Sequence, residues 1–176
     1  MLKNSWMTFY ILVVCFFYVS SAQAIDLGKV TLQGSIIESA CNIDLNSRNQ
    51  TVNVNVISIG ELNRSDHGFS IPFIIRLVDC TLNRASPGAD NWNYFEVTFD
   101  GLHRGYVFLT HGTATGLGFR LYDSQSQIVK PGIPSSPLAL SSGDANLRYH
   151  IVVVTDNTRL NVGCFSSTIK YKIDYF

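Results

Sequence analysis

Near the end of the chain runs TIKYKIDYF, residues 168–176. Ile169, Tyr171, Ile173 and Tyr175 alternate there with Lys170, Lys172 and Asp174. Successive side chains of a strand point to opposite faces, so this two-residue period predicts a strand with one apolar and one wet face. The same period recurs upstream. Residues 51–57 (TVNVNVI) set Val52, Val54 and Val56 against Asn53 and Asn55, and residues 94–99 set Phe95, Val97 and Phe99 against Tyr94, Glu96 and Thr98. Residues 69–78 (FSIPFIIRLV) form a more continuous apolar, β-branched run that reads as a central strand, with Pro72 requiring an edge position or a bulge. Residues 106–109, 118–122 and 149–154 are further strand candidates, and no stretch carries a convincing helical period. Turn formers cluster between them, as in NRASPGADN (83–91) and PGIPSSP (131–137). Many short strands with such punctuation predict an all-β sandwich or barrel. The 131–137 stretch reads as a long crossover inside one domain, because too few residues follow it for a second.

Composition supports one folded domain. The chain has 176 residues, 46% of them hydrophobic and only 15% charged, which excludes a disordered polyelectrolyte. Thirteen basic residues balance thirteen acidic ones, so no basic excess points to nucleic acid. The first 24 residues read MLKNSWMTFYILVVCFFYVSSAQA. A basic start, an apolar run too short to span a bilayer and small residues ending in Ala24 are the three parts of a cleaved secretory signal. Cleavage leaves Cys41, Cys80 and Cys164 in an oxidising compartment. Cys41–Cys80 is the simplest pairing, with Cys41–Cys164 and Cys80–Cys164 open on spacing alone. Cys164 reads as a buried small hydrophobe.

Chemistry-bearing patterns are sparse. His67, His103, His111 and His150 form no metal-ligand spacing, and no nucleophile elbow or phosphate-cradling loop occurs. Asp66 and His67 with some serine are the best that can be assembled toward a hydrolase. No cofactor, metal or small-molecule substrate is expected, and the chain is not expected to be an enzyme. The segment after the signal carries more. Gly28, Val30 and Leu32 share one face and Lys29, Thr31 and Gln33 the other, giving a short amphipathic strand. Such a strand is either an ordinary frayed edge or one offered to another molecule by strand addition.

Taken in order, the export signal, GSIIESACNI (34–43), FIIRLVDC (73–80), VTFDG (97–101), GFRLYD (118–123) and the YKIDYF ending resemble the pilin subunits of chaperone–usher fimbriae, as in type 1 and P pili. Tyr175 stands at the family's penultimate aromatic position and Gly163 at its glycine fourteen positions from the end. The resemblance implies an incomplete immunoglobulin-like β-sandwich completed by a donor strand. It divides the chain into a signal peptide (1–24), a donor-strand extension (25–33) and a pilin domain (34–176). It implies a disulfide between Cys41 and Cys80, a donated face of Gly28, Val30 and Leu32, and an acceptor groove lined by Ile169, Tyr171, Ile173 and Tyr175. It assigns the Phe176 carboxylate and Gly163 to the groove and chaperone contact.

The implied partners are a periplasmic pilus chaperone, an outer-membrane usher and neighbouring pilin subunits, with export through the periplasm to the cell surface. Cys164 has no counterpart in the family pattern. The short extension suggests a minor subunit supporting bacterial adhesion. The KPGIPSSPLAL stretch (130–140) is reminiscent of an anchor or terminator subunit, which donates a strand but accepts none. A tip adhesin binding a host glycan or protein is the other alternative, with Trp92 and Tyr94 as surface aromatics in a loop-rich region.

Overall fold

The computed structural model describes residues 28–64 and 70–176. The expected signal peptide (1–24), the first residues of the expected extension (25–27) and the reading placed on Asp66 and His67 therefore lie outside the described residues. The chain divides into two units, Met1–Ile36 and Ile37–Phe176. In the first, residues 28–36 carry neither helix nor strand, and Val30, Leu32 and Ile36 are exposed.

The second unit is a β-sandwich. Its strands are β1 (Asn42–Ile43), β2 (Ser70–Cys80), β3 (Tyr94–Gly101), β4 (His103–Arg104), β5 (Val107–Leu109), β6 (His111–Gly112), β7 (Leu117–Tyr122), β8 (Leu138–Ala139), β9 (Gly143–Thr155), β10 (Phe165–Ser166) and β11 (Ile169–Tyr175). One sheet runs β1-β2-β9-β7-β5-β4, a second runs β11-β3-β8, and β6 and β10 form a two-stranded ribbon. Every pairing is antiparallel. The segment between β7 and β8 carries the chain from the first sheet to the second, as expected of the 131–137 crossover.

The core lies between the sheets. Ile75 and Leu77 of β2, Val97 and Phe99 of β3, Phe108 of β5, Leu121 of β7 and Val153 of β9 are its largest fully buried side chains. Aromatic contacts tie the layers together: the Phe99 ring of the second sheet meets Tyr149 of the first edge-on at 4.8 Å, and Phe73 stacks on Tyr149 at 5.6 Å. Burial in this apolar setting, with the Asp123 charge adding to it, pushes the Tyr149 hydroxyl up to about 12.

Alternation explains most strands. In β2 the inward set Ile71, Phe73, Ile75, Leu77 changes phase at a bulge between Leu77 and Cys80, where Asp79 adopts φ 54°. The extra residue turns Cys80 inward, and it is bonded to Cys41. Pro72 is accommodated as required: it pairs with His150 of β9 on one side, while β1 covers β2 only at Leu77 and Val78.

Four expectations are corrected. Residues 51–57 form no strand, since no described strand offers them a ladder, although Val54 and Ile57 still pack on the core. Two short helices occur, α1 (Leu45–Arg48) and α2 (Ile59–Arg64), each a turn or so long and therefore without a readable apolar period. The α1 turn is capped by the Asp44 side chain, which accepts from the Asn46 amide. Cys164 is an exposed free thiol, because it sits beside the peripheral β6–β10 ribbon and not in the core. Trp92 is buried: the Arg84 guanidinium covers its ring at 4.1 Å and Tyr175 meets it edge-on at 6.2 Å.

Candidate functional site

The strand β11 is an edge. It pairs with β3 along its whole length, from Ile169 opposite Gly101 to Tyr175 opposite Phe95, and no described strand lies on its other side. The ladder's phase fixes what that open side presents. The Phe176 amide donates to the Tyr94 carbonyl, and the Tyr94 amide donates to the Phe176 carbonyl, each at 3.0 Å. Hydrogen-bonded and non-hydrogen-bonded pairs alternate along an antiparallel ladder. Lys170, Lys172, Asp174 and Phe176 therefore direct their backbone groups to β3, while Ile169, Tyr171, Ile173 and Tyr175 direct theirs to the open edge.

The same four residues turn their side chains inward. All four are half-buried and pack against the core without completing it. One line of residues thus combines peptide groups that no described strand pairs with an apolar face that is only partly covered. An edge of this kind is a template for another strand. Its floor is held in place. Phe99 tilts against Tyr171 at 6.0 Å and Phe95 against Tyr175 at 6.3 Å. The Tyr171 hydroxyl donates to the Ser47 carbonyl at 2.7 Å, and the buried Ser47 hydroxyl accepts from the Arg76 amide at 2.9 Å. Burial raises the Tyr171 and Tyr175 hydroxyls above the ordinary tyrosine value, the latter offset in part by a hydrogen bond with Ser39.

At the Tyr175 end a clamp fixes the surrounding loop. The Glu38 carboxylate accepts from the Ala85 amide and the Ser86 hydroxyl and pairs with Arg84 at 3.5 Å, and Arg84 in turn covers Trp92. The Ala85 amide, with Arg84, holds the Glu38 carboxyl below its usual range. Phe176 stacks on Tyr94 at 6.2 Å, while its carbonyl is held by the Asn93 and Tyr94 amides.

Other residues singled out from the sequence lie elsewhere. Cys41 and Cys80 are joined, with Cα atoms 4.1 Å apart. Gly163 stands outside β11, where a Cβ would meet the Ala114 amide nitrogen and the Thr113 hydroxyl at 2.5 Å, so its lack of a side chain lets two backbones cross closely. His103 is in β4 and His111 in β6, and the described residues contain no cluster of metal-ligating side chains. The Glu38–Arg84–Trp92 clamp escaped the sequence reading, since nothing in the spacing of 38, 84 and 92 announces it.

Comparison with known proteins gives the same picture. The chain is 23% identical to the PRS fimbrial minor pilin protein of Escherichia coli over 84% of its length and 77% of that protein. Its fold matches the crystal structure of the P pilus rod subunit PapA with a TM-score of 0.69 at 20% identity, covering 78% of this chain and all of that one. It matches a subunit in the structure of a chaperone–usher pilus with a TM-score of 0.68 at 21% identity, covering 89% of this chain and all of that one. A family model described as fimbrial protein matches residues 30–175. The chain belongs to this fimbrial protein family, and its fold is that of the pilin subunits it matches.

Proposed function

We propose that the protein is a minor structural subunit of a fimbria that joins its neighbours by donor-strand exchange. The observation carrying this reading is the open edge of β11, where Ile169, Tyr171, Ile173 and Tyr175 present unpaired backbone groups and half-covered apolar side chains together. A neighbouring subunit's N-terminal segment fills that edge as an added strand. This chain's own segment, with Gly28, Val30 and Leu32 on one face, fills the edge of the next. The exposure of Val30 and Leu32 suits a strand whose partner is another molecule.

Before assembly the open edge is an aggregation hazard. A periplasmic chaperone covers it by lending a strand, and an outer-membrane usher exchanges that strand for a subunit's. The Phe176 carboxylate is within the chaperone's contact. Export therefore runs through the periplasm to the fibre at the cell surface. The minor-subunit reading is supported by the likeness to a minor pilin and by the short segment of nine residues, 25–33, before Gly34. With Trp92 buried, the aromatic surface that suggested a tip adhesin is reduced to Tyr94.

The test is complementation in trans. A synthetic peptide of residues 28–36 is added to the refolded chain, and amide hydrogen exchange is followed along 169–175. Slowed exchange at Ile169, Tyr171, Ile173 and Tyr175, absent with a Leu32→Asp peptide, is the expected result. Unchanged exchange with both peptides, or a soluble monomer already protected along this edge, overturns the reading.

A further inference from the structure

A second feature lies on the opposite face of the larger sheet, away from the core. There β4, β5, β7 and β9 lie side by side, with Arg104 opposite Val107 and Arg120 opposite Val152. The β5–β7 pairing sets Phe108 opposite Phe119, and continued by one residue it sets Val107 opposite Arg120. Directly opposed residues of antiparallel strands share a face. Arg104, Val107, Arg120 and Val152 thus form one row. The core claims Phe108, Phe119 and Val153 from the other face.

A pocket of about 380 Å³ opens on this row. Val107 and Val154 line it with Arg104, Arg120, Thr155, Asp156 and Asn157. Its shape depends on Gly118, where a Cβ would meet the Val107 side chain at 2.5 Å and the Phe108 carbonyl oxygen at 2.6 Å, so only glycine lets Val107 lie across β7 at this point. The two guanidiniums are two strands apart, about 10 Å between backbones at the usual strand spacing. Arg120 is half-buried, and its guanidinium has no hydrogen-bond or ion-pair partner among the described residues. The one carboxylate in the lining, Asp156, accepts from the Thr158 amide at 2.9 Å and the Thr158 hydroxyl at 2.6 Å. Two arginines against one aspartate give the lining a net charge of +1.

We propose that this pocket binds a carboxylate-bearing sugar unit of the uronic-acid class, its carboxylate held by Arg120 and Arg104. The volume is that of a small-ligand pocket and exceeds what a single acidic side chain fills. The guanidinium fork matches a planar carboxylate in two-point fashion. A net charge of +1 suits a monoanion better than a phosphate monoester, which carries nearly two charges at neutral pH. Thr155 and Asn157 offer a hydroxyl and an amide to ring hydroxyls, and Val107 and Val154 offer an apolar floor to the C–H face of the ring. This site is remote from the strand-exchange edge and does not depend on it.

The experiment is calorimetric titration of the folded full chain with glucuronate, glucose, inorganic phosphate and an aspartate-rich peptide. Saturable binding of glucuronate is expected, with glucose weaker by at least about tenfold, the weight of a lost charge-assisted contact. Arg120→Ala is expected to abolish it, Arg120→Lys to restore only part, and Asn157→Ala to weaken it modestly, with near-ultraviolet circular dichroism checking the fold of each. Equal binding of glucose, binding of phosphate or the peptide in place of glucuronate, no binding at all, or full binding by a folded Arg120→Ala chain each overturns the proposal.

Discussion

Residues 51–57 and the strand β11 carry the same alternation of apolar and polar side chains, yet only β11 is a strand. Both turn apolar side chains to the core: Val54 and Ile57 in one, Ile169, Tyr171, Ile173 and Tyr175 in the other. The difference is a partner. β11 has seven consecutive residues in register with β3, whereas 51–57 has no ladder. Without a ladder the alternation does not hold a face, since Val56, in phase with Val54, is fully exposed while Ile57 packs on the core; peptide hydrogen bonds across to another chain segment make the strand.

The comparison can be tested by weakening each region in turn. Removing the disulfide should have the largest effect. Cys41 and Cys80 tie the segment leading into β1 to the end of β2, and the chain-entropy model gives their closed loop about 4 kcal/mol. Denaturant midpoints of Cys41→Ser/Cys80→Ser should fall accordingly, and an unchanged midpoint would remove the tie from the account. Next, Ile173→Ala should cost about 2 kcal/mol, at the low end for a large-to-small core change because Ile173 is only half-buried. Val54→Ala should cost less than Ile173→Ala, because it deletes one carbon fewer from a segment that no ladder holds, and an equal or larger loss would show that 51–57 packs on the core at least as firmly as β11.

Tyr171→Phe removes a single hydrogen bond to the Ser47 carbonyl and should cost about 1 kcal/mol. A loss well beyond that would mean that Ser47 and its bond to Arg76 are displaced as well. The last effect is nil at neutral pH. Because Tyr149 titrates near 12 in the folded chain against an ordinary value of 10, its contribution is intact below pH 10 and disappears as pH rises toward 12. Alkaline unfolding with tyrosinate absorbance as the readout should show this, with Tyr149→Phe flattening that pH dependence.

Much of this molecule was legible from residue types alone. β2, β3, β7 and β11 fall where alternation or β-branched runs place them, β9 was read only in its second half, 149–154, and Pro72 sits at a locally uncovered edge as its missing N–H demands. The helices α1 and α2 were not legible, because four and six residues are too short to display a period. The burial of Trp92 was hidden because it depends on Arg84 and Tyr175, neighbours in space only. Cys164 was misread for a related reason: a small apolar residue between strands says nothing about whether its strand lies over the core or on a peripheral ribbon.

The sequence by itself determined that the protein is an all-β domain, which faces its strands bury, and where its two ends carry alternating apolar residues. Those properties follow from side-chain pattern along one segment at a time. Only the tertiary structure decided which strand is left at an edge and which peptide groups of β11 face outward. It also decided that Arg104 and Arg120 share a face above Val107. Those depend on register and strand order, which long-range pairing fixes and no local pattern encodes.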